Sequence, residues 1–292
     1  MKKYLPGLII SLLILSACLP ARPVKSTGQS VETIVASTLQ AMTSAAPSAA
    51  ASPTAVATSA AISSPTAQKS GLPVSYKNIS FSVPLELNAS ASASTKTDVE
   101  YPYINPSGGP MAEHVVFDLT SYPQQGTAKI MVFKSSEYAA YGEPVQGAVT
   151  ALIAGQDAAQ PLPKSLAQDF HVQSKPVQFQ NGHGVRYLTQ VLTSFAPITN
   201  QELFYYYQGI TNDGAYFVAA IFPVNATFLV ADGKKDSPTP SDGVPFNWGT
   251  DLDFTKYLDA VSQKLNNAVP ENYSPSLLLL DKMIGSMQVT NP

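Results

Sequence analysis

The amino-acid sequence predicts an α+β domain in which an antiparallel sheet of about six to seven strands is flanked by helices, behind a disordered N-terminal tether. Three observations lead there. Apolar residues alternate in period two through segments between residues 76 and 222, and two stripes of helical period close the chain. Residues 19 to 72, by contrast, contain no aromatic side chain and are dominated by Ala, Ser, Thr and Pro, a composition that cannot bury enough apolar area to offset its conformational entropy.

The elements follow in order. Tyr76 to Leu87 alternates through Ile79, Phe81 and Val83 and turns at Pro84, which predicts a first, edge-like strand. Glu113 to Thr120 and Ala128 to Lys134, separated by a Pro- and Gly-containing loop, predict a hairpin. Ser135 to Tyr141 and Pro144 to Ala154 read as helices crossing the sheet, the second with Val145, Val149, Leu152 and Ile153 on one face and Gly155 beyond it. Four more strands are expected over Phe170 to Gln180, Val185 to Phe195, Glu202 to Thr211 and Ala215 to Phe222. Their connections are turn sequences, among them Asn181 to Gly184 and Asn212-Asp213-Gly214, so the four form an antiparallel meander. After a polar loop over Ala231 to Gly249, Asp251 to Ala268 sets Phe254, Leu258, Val261 and Leu265 on one stripe, and Ser274 to Met287 predicts a last helix with Ser274 as N-cap and Pro275 at its first position.

Met1 to Lys3 is a short positive region, and Leu5 to Leu15 is an apolar run with the length of a signal-peptide core, too short for a hydrocarbon layer that needs about 20 residues. Leu15-Ser16-Ala17-Cys18 resembles the lipobox of bacterial lipoproteins. That resemblance implies cleavage before Cys18, the chain's only cysteine, and acylation of its thiol, which anchors the mature chain at the extracytoplasmic face of a cell membrane. The expected organisation is a signal peptide over 1–17, a lipidated disordered tether over 18–72 and a single globular domain over 73–292. Within the tether, Val31, Ile34, Val35, Leu39 and Met42 recur at helical spacing after Ser30, which in isolation makes only a transient helix.

The segments KNISFSVP and LLLLDKMIGSMQV are similar to the two ends of Mog1/PsbP-like domains, in which a first strand enters the sheet and a final helix runs through a Ser into a short strand. The whole chain resembles a group of uncharacterised bacterial lipoproteins in which segments like NGHGVRYLTQ and YYYQGITNDGAYFVAAIFPV recur. The Mog1/PsbP resemblance implies a sandwich and a module that binds a partner without catalysis; it supplies no catalytic residue.

Composition removes several classes. Charged residues make up 13% of the chain, with 17 Lys+Arg, 20 Asp+Glu, a net charge of −3 and pI near 5.6, which gives no electrostatic footprint for nucleic acid. One cysteine makes neither an internal disulfide nor a thiolate zinc cluster. His114, His171 and His183 form no HxH or HxxxH pair, so no metal site is expected. No G-x-S-x-G, S-x-x-K, H-E-x-x-H, GxGxxG or P-loop occurs, so neither a catalytic set nor a cofactor is expected. Asp251 and Asp253 begin a helix, where acidic residues complement its dipole. Asp232, Asp236 and Asp242 lack calcium-loop spacing and lie beside Lys234 and Lys235.

The most unusual run is Phe204-Tyr205-Tyr206-Tyr207. Alternation places Phe204 and Tyr206 on one face of a strand and Tyr205 and Tyr207 on the other. One face suits cover by helices. The alternative is a tyrosine surface for a sugar, peptide or protein, with Arg186 and Tyr187 brought alongside by the meander and His183 in the adjacent Gly-flanked turn. Tyr205, Tyr207, Arg186, Tyr187 and His183 are therefore the candidate binding residues. The expected function is a membrane-anchored lipoprotein whose non-catalytic domain binds an envelope protein or small ligand. The alternatives are an envelope-polymer enzyme with a site assembled only in three dimensions, and a structural spacer.

Overall fold

A computed structural model describes residues 71–97, 111–140, 147, 150–151, 154, 170–192 and 194–291. The signal segment, Cys18 and nearly all of the expected tether lie outside these residues, as does most of the helix expected over 144–154.

The domain is an α+β fold on a seven-stranded, wholly antiparallel sheet. Its strands are β3 (Ser90–Lys96), β4 (His114–Thr120), β5 (Lys129–Lys134), β6 (Val172–Phe179), β7 (Gly182–Thr189), β8 (Phe204–Thr211) and β9 (Tyr216–Pro223), in the order β3-β4-β5-β9-β8-β7-β6. The expected hairpin is β4–β5, and the expected meander is β6 to β9. A smaller sheet, β1 (Gly71–Tyr76), β2 (Ile79–Pro84) and β12 (Gln288–Val289), packs beside it with β2 in the centre, and β10 (Asn225–Ala226) pairs β11 (Tyr273–Ser274). The helices that lie wholly within the described residues are α1 (Ser135–Ala139), α2 (Phe254–Asn267) and α3 (Leu277–Gly285).

Side-chain alternation divides the large sheet between two cores. Val115, Phe117, Ile130, Val132, Leu188, Tyr205, Tyr207, Val218 and Phe222 face a main core completed by Ile79, Phe81 and Val83 of the small sheet and by α2 and α3. Val116, Met131, Phe133, Tyr187, Phe204, Tyr206 and Phe217 face a second core with Tyr138 of α1, against which Ala151 also packs. Phe204 and Tyr206 thus part from Tyr205 and Tyr207 as period two requires.

Several expectations are corrected. The expected strand through Ile79, Phe81 and Val83 is present as β2 and ends at Pro84, but it is neither first nor an edge: β1 begins at Gly71, inside the expected tether, and turns into it at Lys77 (φ 51°) and Asn78, and Leu85–Leu87 is a 3₁₀ turn. β2 is flanked on both sides because the C-terminus supplies β12, pairing Val289 with Ile79. β3 has no counterpart in the sequence reading. Ser274 does not cap the last helix, since it is extended and paired with Asn225; Ser276 is the cap, its hydroxyl accepting from the Leu278 amide. Asp253 caps α2 by accepting from the Lys256 amide at 3.0 Å, a structural use of that carboxylate.

Gly182 and Gly184 are strand residues with ordinary φ, so they serve space, not turn angles. A Cβ on Gly182 would lie 2.0 Å from the Phe179 ring; one on Gly184 or its cross-strand partner Gly209 would lie 2.5 or 2.3 Å from the Tyr207 hydroxyl. The paired glycines form a trough for Tyr207, whose hydroxyl donates to the Val177 carbonyl at 3.2 Å. Gly214, by contrast, has φ 70° and supplies the expected Asp-Gly turn between β8 and β9.

Candidate functional site

The meander brings the candidate residues onto adjacent strands, with Arg186 opposite Tyr207 and Tyr187 opposite Tyr206. It does not join them into one surface. Arg186, Tyr205 and Tyr207 lie on the main-core side, while Tyr187 and His183 lie on the opposite side. Both tyrosines of the first group, Tyr187 and Arg186 are at most 2% exposed, and His183 is half-buried beside Ile210.

Under α3, Arg186 and Tyr205 meet a residue that sequence reasoning passed over. Arg186 Nε lies 3.3 Å from Asp281 Oδ1, an ion-pair contact, and the Tyr205 hydroxyl donates to the same oxygen at 3.1 Å. Lys175 Nζ approaches Asp281 Oδ2 at 3.4 Å. Arg186 Nη1 donates to the carbonyl of Gln173. Gln173 sits at the β6 bulge with φ 57°, and its amide nitrogen donates to the carbonyls of Leu265 and Ala268 at 2.8 and 2.9 Å. These carbonyls close α2, where a helix has no internal donors left. One carboxylate thus links α3 to the sheet, and Arg186 and Gln173 carry the link to α2. Burial drives the Tyr205 phenol far above its usual pKa, with the Asp281 charge adding to the effect, so it remains a hydrogen-bond donor. This cluster fastens elements together and presents no open face.

The open site lies elsewhere. Where β4 begins, β5 ends and β9 begins, a cleft of about 550 Å³ separates the end of the large sheet from the β1–β2 turn and the C-terminal strand. This volume falls within the range of small-molecule sites. Its apolar floor is Ile79, Val115 and Val132; Lys77, Glu113, Lys134 and Tyr216 stand around its mouth. Thr290 closes one side, its amide donating to the Asn78 carbonyl at 2.9 Å.

Charges at the mouth are paired but exposed. Lys77 meets Glu113 at 3.7 Å and Lys134 meets Glu137 at 2.9 Å. The Glu137 hydrogen bond, reinforced by its charge, raises the Lys134 pKa, so the ammonium persists through neutral pH. Exposed pairs of this kind are weak because water screens them, so an incoming polar group competes with them on even terms. His114 lines the cleft with its ring stacked on Phe133, centroids 4.5 Å apart. Its Nδ1 lies 2.8 Å from the Ala112 carbonyl, which only accepts, so Nδ1 carries the proton.

The sequence signal for this cleft was faint. Lys77 and Asn78 were absorbed into a strand, and Glu113 and Lys134 stood at strand ends where charged residues are ordinary. Among the described residues no three His, Cys, Asp or Glu side chains gather as metal ligands, and no helix is long and apolar enough to cross a membrane. Compared with protein-family models, with curated proteins and with solved structures, the chain matches none.

Proposed function

We propose that the protein is a lipoprotein held at the extracytoplasmic face of a cell membrane by acylation of Cys18, and that its domain binds a small amphipathic ligand without transforming it. The cleft carries the binding reading: an apolar floor of Ile79, Val115 and Val132 ringed by two ammonium groups, a carboxylate and a phenol. Such a site takes an apolar body on its floor and an acceptor-bearing head at Lys77 and Lys134. The short segments KNISFSVP and LLLLDKMIGSMQV, which resemble the ends of Mog1/PsbP-like domains, point toward binding, and Leu15-Ser16-Ala17-Cys18 behind Met1 to Lys3 and an apolar run supports the anchor. Two acyl chains suffice for stable anchoring, each buried CH₂ contributing about 0.8 kcal/mol.

Two measurements test it. In cells fed an alkyne fatty acid, the chain is expected to take up label and sediment with membranes, while Cys18→Ser loses label and enters the soluble fraction; a labelled Cys18→Ser chain refutes the anchor. In a thermal-shift screen of amphipathic carboxylates and phosphates, the protein is expected to gain stability, about 2.7 kcal/mol at a hundredfold excess over Kd. Lys77→Glu/Lys134→Glu is expected to abolish that gain while melting normally without ligand. Cleavage of an envelope polymer that is lost in Glu113→Gln would replace binding with catalysis.

A further inference from the structure

A second open groove, of about 1000 Å³, runs along the N-terminal half of α2 and shares no lining residue with the first. Its apolar wall is Phe195, Phe254 and Leu258, and its rim carries Asp251, Asp253 and Asp259. Among the described residues no Lys, Arg or His lines it. Phe195 is 68% exposed although its ring packs on Phe254 at a centroid distance of 4.9 Å, and nearby Trp248 is 40% exposed on Phe246, also at 4.9 Å. A soluble surface seldom leaves aromatic faces of this size together in water unless something covers them.

Asp253 caps α2, and the fold leaves part of the acids' capacity unused. Among the described residues Asp251 accepts from the Asn247 side-chain amide at 2.9 Å and Asp253 from the Lys256 backbone amide, each through Oδ1, which leaves the second oxygen of each for a further donor. Three carboxylates above aromatic and aliphatic surface, with no base among the described lining residues, fit one chemistry: side chains with an apolar stem and a cationic tip. The stems of Lys and Arg cover apolar surface while their heads seek anions, and a cation gains further over an aromatic face.

We propose that this groove docks a basic segment of a partner protein, with Lys or Arg heads on Asp251 and Asp259 and their stems across Phe195 and Leu258. The surface is separate from the small-ligand cleft, so the two functions stand or fall independently.

The test is fluorescence anisotropy of the full-length protein with a short labelled peptide of alternating Lys and Leu, beside its Glu/Leu counterpart. Saturable binding of the Lys peptide alone is expected, weakening as salt shortens the Debye length. Asp251→Asn/Asp259→Asn and Phe195→Ser are each expected to weaken it about tenfold or more. Asp236→Asn/Glu271→Gln, which removes the same charge from residues outside the groove, and Lys77→Glu/Lys134→Glu are expected to leave it unchanged. Equal loss in the charge-matched control, equal binding of the Glu peptide, or no saturable binding overturns the proposal. So does binding of a neutral oligosaccharide in place of the peptide. Unchanged circular dichroism in each variant shows that the loss is local.

Discussion

Asp281→Ala is expected to destabilise the domain by about 3–5 kcal/mol, the cost of stranding one partner of a buried ion pair. The Arg186 side chain is 3% exposed and that of Asp281 13%, so the guanidinium would lose its counter-ion without gaining water. The Tyr205 hydroxyl would lose its acceptor, and α3 one of its polar ties to the sheet. For a domain of this size the melting temperature should fall by roughly 6–20 °C. Asp281→Leu combined with Arg186→Met separates this account from a simple packing defect. Replacing both partners with apolar residues of similar volume removes the stranded charge, so the double variant should be more stable than either single one. Additive losses in the double-mutant cycle would show that the pair is not coupled.

Alkali should unfold the protein cooperatively between roughly pH 11 and 12. Tyr138, Tyr187, Tyr205, Tyr206 and Tyr207 are buried, and burial raises each phenol above its ordinary value of 10. Tyr257 and Tyr273 are pushed up to about 12. The sign follows from proton counting: above pH 10 the unfolded chain releases phenolic protons that the folded chain retains, so stability is complete below pH 10 and lost as pH rises beyond it. Five deeply buried phenols, at about 1.4 kcal/mol each per pH unit, remove about 7 kcal/mol for every unit above 10. That is comparable to a domain's entire stability. Absorbance at 295 nm should rise in one steep step coincident with loss of far-ultraviolet dichroism. Gradual titration with dichroism intact would contradict it. Tyr187→Phe should move the step to higher pH at no cost near neutrality, because that hydroxyl is buried with no hydrogen-bond partner among the described residues.

Legibility in the sequence tracked side-chain contrast. β4 to β9 stood out because large apolar residues alternate or run together there, and the turn at Asp213-Gly214 has its own chemistry. β3 was invisible: SASASTK has the composition of the tether, and it becomes a strand only because β4 offers it a ladder from Thr120 to His114. β1 was masked by the Pro-rich stretch it emerges from. At the candidate residues, alternation sorted the tyrosines onto the right faces but was silent about what covers them, which depends on α3. A signal was nevertheless present. An arginine inside the apolar run VRYL and an aspartate inside LLLLDKMIG each demand a buried partner, and each is the other's. The two open clefts left no such mark, since both are assembled from strand ends, a helix start and loops remote in sequence.

The pairing of β12 with β2 sets an order of events on the chain as it is made. Asn78 and Thr290, which bond each other, are 212 positions apart. Ile79, Phe81 and Val83 therefore emerge long before Met283, Ile284, Met287 and Val289, which share the main core with them. Until that last segment appears, the outer edge of β2 is an unfilled ladder and the apolar side chains of its inner face, although they meet Phe117 of the large sheet, lack part of their cover. A chain that stops short of residue 288 lacks the strand that covers this edge, whatever the state of the meander between. The small sheet thus works as a clasp that only a finished C-terminal segment can fasten, and an interrupted product would be recognisable to proteases or chaperones by the open edge it displays.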